Sequence, residues 1–302
     1  MTAIILLALP FTSADGPLKI KSKKVQVAGM SCLANNDVRA PQKTAPAIVY
    51  YPEEAGKYPV LSFAHGVFSG AVADYSGTMG GVASHGFIVV GMLDCSVALS
   101  MYHDQIRALE YILTEDADLA PIVDRASATG VFGHSMGGAA TLNSASDAAS
   151  VQRVNLSAAV AMHPGIQLGK LTPHVPTLYF TGSVDPLCGP LITHPMYLLA
   201  AAAGISRGYA VVKGYNHLNV MGPRTNKEVD YVAAWFSCYL RRDAASCDLE
   251  FSTDQASCAE KVPDLCACDG KPTVKKSCET VQGKDPSAAM KPPQPVLELS
   301  AS

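Results

Sequence analysis

Charge is scarce in this chain: 16% of its 302 residues are Asp, Glu, Lys or Arg, and the formal net charge is −3. With neither a basic face nor an acidic tail, nucleic acid is excluded as a partner. The basic cluster at 19–24 is short and reads as a solvated strand edge. Long apolar runs are also missing, so no integral membrane segment is expected. Metal-binding spacing is lacking too. Cys266-Ala267-Cys268 is C-x-C rather than C-x-x-C, its neighbours are irregularly spaced, and no His follows His217. No metal is therefore expected.

Cysteine itself is not lacking, for nine are present and six of them (Cys238, Cys247, Cys258, Cys266, Cys268 and Cys278) crowd into the last quarter. Such density in a polar segment predicts disulfides and an oxidising, secreted setting. Cys32, Cys95 and Cys188 stand apart; the odd total leaves at least one thiol free or intermolecular, and Cys95 and Cys188 read as buried. The apolar run at 3–11, followed by Thr12-Ser13-Ala14, fits a weak signal peptide over 1–14. It has no positive start, so a buried first strand or a start-site artefact are competing readings.

The most informative stretch is Gly133-His134-Ser135-Met136-Gly137, set between a strand-like run at 128–132 and a helix-like run at 138–149. A G-x-S-x-G pentapeptide in that context is a nucleophile elbow. Small residues two positions either side of Ser135 permit a sharp strand-to-helix turn that projects the hydroxyl above the sheet. A hydroxyl is a poor nucleophile at neutral pH, so an imidazole and a carboxylate must follow. Asp185 lies just beyond a strand-like run at 175–182, and His217 lies in the loop after another at 209–212. The order Ser135, Asp185, His217 is that of α/β-hydrolases. Asp185 could instead cap a helix near Pro190, and His217 could be a turn residue.

Rival residues rank lower. Asp94 comes too early in the order, His163 and His194 could line the cleft without being the base, and His134 is expected to point away from the nucleophile. An oxyanion hole needs one N–H from Met136 and a second from the loop after an early strand. His65-Gly66-Val67-Phe68 follows a strand at 58–64, which makes Val67 the second donor. His65, Phe68, Gly165 and Leu187 are the expected substrate contacts. Because a His base must be neutral to act, activity should rise with pH through about 6 to 7.

Strand-like runs at 24–27, 47–51, 60–64, 87–93, 128–132, 156–162, 177–181 and 209–212 alternate, after the third, with helix candidates. These lie at 75–84, 100–115, 138–149, 191–203 and 227–242. The pattern predicts a doubly wound, mostly parallel sheet of about eight strands with an early antiparallel edge. Between Met162 and Thr177 there is room only for a loop, so no cap domain is expected and the site should be open. The catalytic domain is placed at 15–243, a disulfide-bonded extension at 244–280 and a disordered tail at 281–302. A monomer is expected.

The elbow with Gly138, Ala83-Ser84-His85-Gly86-Phe87, the His65-Gly66 loop, Pro176-Thr177 before Asp185, and the segment 214–217 resemble cutinase-like polyester hydrolases. These belong with the dienelactone-hydrolase-related α/β-hydrolases. The likeness covers residues 46–242. It implies a serine carboxylesterase with Ser135, Asp185 and His217 as its triad, an oxyanion hole from Met136 and Val67, and no cofactor. Chlorophyllases and platelet-activating-factor acetylhydrolases are related, and a catalytically silent binding module is the rival of another class. Two departures matter for substrate. Val67 stands where the family usually has an aromatic residue after the oxyanion-loop Gly, and His163-Pro164-Gly165 puts Gly165 in place of a Trp. The aromatic clamp for a terephthalate ring is therefore incomplete, unless Phe68 compensates. The cysteine-rich tail is beyond the family's usual pattern.

Overall fold

The computed structural model describes residues 16–30, 44–66, 75–93, 101–166, 172–223 and 226–250. Eight strands form one sheet: β1 (Ile20–Ala28), β2 (Thr44–Pro52), β3 (Val60–Ala64), β4 (Ile88–Met92), β5 (Thr129–His134), β6 (Leu156–Met162), β7 (Thr177–Gly182) and β8 (Arg207–Val212). Their spatial order is β1-β2-β4-β3-β5-β6-β7-β8. β1 pairs antiparallel with β2, and β2 antiparallel with β4. Every other pairing is parallel. The antiparallel edge and parallel body match the expected α/β-hydrolase architecture.

All side chains of β3, β4, β5 and β7 are buried, as a parallel sheet covered on both faces requires. Alternation divides them between two cores. Leu61 and Phe63 turn to one side with Phe132 and Val160, where they meet α1 (Ser76–Ser84) and α6 (Glu228–Phe236) through Met79, Val82, Val232, Trp235 and Phe236. Val60 and Ala64 turn to the other, with Val90 and Val131, against Ile106, Leu109 and Ile112 of α2 (Met101–Thr114) and Ala140 of α3 (Met136–Ser146). Burying each such aliphatic or aromatic side chain contributes about 1.5–3 kcal/mol, which makes these two layers the main source of stability.

Three expected helices are subdivided. The 138–149 candidate breaks at Asp147, whose extended backbone and side chain, accepting from the Ser150 N–H, start a separate helix α4 (Ala148–Arg153). The 191–203 candidate becomes α5 (Pro190–Leu199) and a tighter turn at Ala200–Ala203. The last long helix, α6, widens into one π-turn at Ser237–Arg241 and stops where Arg242 turns left-handed (φ 58°). A further helix, α7 (Ala244–Glu250), follows, and a disulfide between Cys238 and Cys247 ties it back to that turn. Closing so short a loop stabilises by about 2–3 kcal/mol. Cys188 is a buried free thiol. Cys32, Cys95, Cys258, Cys266, Cys268 and Cys278, the 1–14 segment and the 281–302 tail lie outside the described residues.

Lys23 of β1 reaches Asp116 at 2.7 Å and Asp118 at 3.2 Å. Lys23 is thus engaged within the fold, while Lys21 and Lys24 are exposed, as a solvated strand edge would have them. No helix among the described residues is long and apolar enough to cross a membrane. The connections from β6 to β7 and from β7 to β8 hold, among the described residues, only loops, α5 and its terminal turn, with no inserted domain.

Candidate active site

Ser135 joins β5 to α3 in a backbone conformation (φ 57°, ψ −119°) that non-glycine residues rarely adopt. The fold holds it there. The Ser135 N–H donates to the Met162 carbonyl at 3.0 Å, and its own carbonyl accepts from the Gly165 N–H at 2.8 Å and the Ala139 N–H at 3.1 Å. A Cβ at Gly133 would come within 2.5 Å of the Gly137 carbonyl oxygen and 2.7 Å of that of Ala64. One at Gly137 would overlap the Ala64 carbonyl. Both glycines are required by close backbone approach, the physical content of the pentapeptide.

Two loops at the carboxyl end of the sheet bring the other groups to Ser135. The Ser183 N–H donates to the Val212 carbonyl (2.9 Å) and the Val184 N–H to that of Tyr215 (3.0 Å), clasping the loop after β7 to the loop after β8. His217 then places Nε2 at 2.9 Å from the Ser135 Oγ and Nδ1 at 2.9 Å from the Asp185 Oδ2. The Leu187 and Cys188 N–H groups each donate to Asp185 Oδ1 at 2.8 Å. Serine, imidazole and carboxylate thus form one continuous hydrogen-bonded chain.

Asp185 Oδ2 has a second imidazole partner. His163, at the end of β6 with a left-handed backbone (φ 44°), places Nδ1 at 2.7 Å from that oxygen and Nε2 at 2.8 Å from the Glu228 Oε1. His163 and Glu228 are fully buried. Burial opposes the charged form of His163, but the Glu228 charge and the hydrogen bonds to Asp185 and Glu228 outweigh it and raise the group to about 9. Burial likewise pushes the Asp185 carboxyl upward. The hydrogen bonds from His163, the Cys188 N–H, His217 and the Leu187 N–H outweigh it and hold Asp185 well below the usual carboxylate range.

His134 does not sit apart from the site as expected. Its ring lies 4.6 Å, centre to centre, from that of His217, and its Nδ1 is 2.8 Å from the Tyr75 hydroxyl, which also accepts from the Gly66 N–H at 3.1 Å. Burial, then repulsion from His163 and His217, holds His134 well below the ordinary imidazole value, so it is neutral near pH 7. The alternation of β5 explains its place: Phe132 and His134 share one face. His194 instead packs on Tyr197 and Tyr209.

These shifts predict how stability varies with pH. The raised value of His163 gives a contribution fully present below about 6.5, its ordinary value, and lost as pH rises through about 9. His134 acts oppositely, since its depressed value means that lowering pH below 6.5 favours the unfolded chain. Melting temperature is therefore expected to peak near pH 6.5 and fall toward pH 9, where the His163 loss is on the order of 2 kcal/mol. Thermal melts across that range check this, and a Tm that climbs from pH 6.5 to 9 contradicts it.

His163, Asp185 and His217 offer ligand atoms within 4.8 Å of one another, a spacing that could hold a metal ion. Two ligands of a tetrahedral zinc at about 2.0–2.1 Å from the metal sit some 3.3 Å apart. The 2.7 and 2.9 Å contacts to Asp185 Oδ2 are direct hydrogen bonds. The three groups thus satisfy one another by direct hydrogen bonds.

Of the other expected site residues, Met136 opens α3, where an N–H has no acceptor within its own helix, and its side chain is exposed. Leu187 is exposed beside Asp185. Gly165 packs over Ser135, where a Cβ would lie 3.5 Å from the serine carbonyl and 3.6 Å from the Met136 nitrogen, ordinary contact distances. His65, expected at the substrate, is fully buried with Nδ1 2.8 Å from the Gly66 carbonyl oxygen. Val67, Phe68 and Asp94 lie outside the described residues. His163 bonding to the acid, Glu228 behind it, and Tyr75 beside His134 were not anticipated. The one sequence signal was a His ending the strand adjacent to that of the acid.

The chain is similar to several known proteins. The chain is 30% identical over 203 residues to Cutinase 2 of Thermobifida cellulosilytica, covering 65% of this chain and 73% of that protein. It is 30% identical to Cutinase cut1 of Thermobifida fusca over 203 residues, 65% of this chain and 60% of that one. Cutinase est2 of Thermobifida alba is 29% identical over 206 residues, again 65% of this chain, and 64% of its own length is matched. The chain thus spans less than two thirds of the second and third of these relatives. A family model described as PET hydrolase-like matches residues 12–264, and on that match the chain belongs to the PET hydrolase-like family.

Proposed function

We infer that the protein is a secreted serine carboxylic-ester hydrolase that works through an acyl-enzyme and needs no cofactor. The observation that carries this reading is the hydrogen-bonded chain from Ser135 Oγ through His217 to Asp185 on a strand-to-helix elbow. Ser135 Oγ attacks the ester carbonyl carbon as His217 Nε2 accepts its proton. The C–O bond to the alcohol then breaks, and His217 returns the proton to the departing oxygen. Water, activated by the same imidazole, repeats the sequence on the acyl-enzyme. Asp185 holds the Nδ1–H tautomer and stabilises the imidazolium. The Met136 N–H, at the positive end of α3, and the Val67 N–H are the proposed oxyanion donors. Disulfide formation at Cys238–Cys247 supports an oxidising, extracellular setting. The protein is proposed to act as a monomer.

The substrate reading follows from what surrounds these groups. Met136, Ile166, Val184, Leu187 and Leu218 are exposed large apolar side chains, each within two residues of Ser135, Gly165, Asp185 or His217. Such a rim favours acyl chains and apolar ester surfaces without demanding a particular head group. Polyester of the cutinase type is the proposed substrate class, with the terephthalate unit held weakly because Gly165 offers no ring. Ready hydrolysis of p-nitrophenyl butyrate is expected, with slow release of products from terephthalate polyester film. Gly165→Trp has room at its Cβ and should raise film hydrolysis several-fold, since a ring contact adds about 1 kcal/mol. No turnover of p-nitrophenyl butyrate would overturn the esterase reading. Activity confined to phytyl or phospholipid esters would move the protein toward chlorophyllases or acetylhydrolases.

A further inference from the structure

The acid of the proposed triad is shared between two imidazoles. An ionised carboxylate only accepts hydrogen bonds, so Asp185 Oδ2, at 2.7 Å from His163 Nδ1 and 2.9 Å from His217 Nδ1, requires an N–H on each. The other nitrogen of His163 faces Glu228 Oε1 at 2.8 Å. Glu228 is fully buried, its Oε2 has no hydrogen-bond partner among the described residues, and the ion pair found for it there is with His163. A carboxyl so placed sits beside a cation or takes up a proton. His163, raised to about 9 by Glu228 and Asp185 and within hydrogen-bond reach of both, is that cation and donates from both nitrogens as an imidazolium.

The clamp is anchored through a further hydrogen-bond chain. The Glu228 N–H donates to Asn226 Oδ1 at 3.0 Å, Asn226 Nδ2 donates to Thr78 Oγ1 at 2.8 Å, and that hydroxyl donates to the Val220 carbonyl at 2.6 Å. His163 keeps its left-handed backbone, a conformation with a conformational cost, while its N–H donates to the Phe180 carbonyl at 2.8 Å. The titratable groups that face it are Asp185 after β7, Glu228 at the start of α6, His134 on β5 at 5.7 Å between ring centres and His217 after β8 at 5.8 Å.

We propose that His163, held by Glu228, is a positioning residue that locks Asp185 Oδ2 and so fixes His217 in the Nδ1–H orientation that aims Nε2 at Ser135 Oγ. This rests on the roles inferred for Ser135, His217 and Asp185. An ionised carboxylate has about four acceptor positions; the Leu187 and Cys188 N–H groups take those of Oδ1 and His163 takes one on Oδ2, which leaves the remaining one for His217 Nδ1.

His163→Asn tests the proposal, since an Asn amide keeps a donor near the Nδ1 position, tolerates a positive φ and carries no charge. The pair His163→Asn with Glu228→Gln avoids stranding the buried carboxylate. With p-nitrophenyl butyrate, His163→Ala with Glu228→Gln is expected to lower kcat by about tenfold with KM little changed, and the His163→Asn pair, which keeps a donor to Asp185, to recover most of that loss. Imidazole nitrogen NMR on Ser135→Ala should find both nitrogens of His163 protonated from pH 6 to 8. An unchanged kcat in the His163→Ala pair, no recovery in the His163→Asn pair, or a His163 with one bare nitrogen at pH 7 overturns the proposal. The NMR arm decides even if the variants do not fold. A Ser135→Ala protein as active as the wild type would instead remove the esterase reading, leaving the His163 measurement still readable.

Discussion

Ser135→Ala is expected to lower turnover of p-nitrophenyl butyrate by about 10⁴- to 10⁶-fold while leaving the melting temperature near that of the wild type. The magnitude follows from the two-step chemistry. Without Oγ no acyl-enzyme forms, and what is left is oxyanion stabilisation and binding acting on a water attack. Loss of the hydroxyl leaves the elbow intact, because its shape depends on Gly133, Gly137 and the backbone bonds of Ser135 with Met162, Ala139 and Gly165. His217→Ala should fall as far, and the double variant little further, because nucleophile and base act as a unit. Steady-state kinetics on purified variants measure this. Activity within tenfold of wild type in either single variant would place the chemistry elsewhere.

Asp185→Asn should be nearly as damaging to rate, by about 10⁴-fold, and costly to the fold as well. On sequence alone the change would spare the fold, since the residue sits in a loop. Its four donors alter that expectation. Oδ1 accepts two backbone N–H groups and Oδ2 accepts two imidazole N–H groups. An Asn presents one oxygen and one NH₂, so whichever way the amide turns, its NH₂ meets a pair of donors. Conflicts between buried donors cost roughly 1–3 kcal/mol each, and His163 additionally loses one of its two counter-charges. A lowered Tm together with a collapsed kcat is the expected pair of results. A variant with lost activity and unchanged stability would mean that the loop rearranges to satisfy the donors.

The proposed triad could be read from the sequence because each member follows a strand whose apolar run is unmistakable. β6 has the bounds its residues suggested, and β5, β7 and β8 differ by at most two residues. Ser135 needs small neighbours, and the sequence displays them. The His163–Glu228 clamp was not legible, because it joins positions 65 residues apart through side chains alone. Glu228 in the first turn of a helix reads as an ordinary partner of the helix dipole. His134 was misplaced for another reason: adjacency to Ser135 suggested divergence, whereas the residue belongs to the last step of β5 and the loop carrying His217 folds over it. The break at Asp147 could have been read from the Asp-x-x-Ser spacing of an N-cap. Helix continuation beyond Phe236 depends on a π-turn that residue preference does not encode.

Covalent labelling with a fluorophosphonate tests the central claim most directly, because it requires an activated serine and no knowledge of the natural ester. Intact mass and peptide mapping should find one phosphonyl group, on Ser135, formed within minutes near neutral pH and abolished by Ser135→Ala or by His217→Ala. A folded wild-type protein that takes up no label, or takes it up at another serine, would contradict the account.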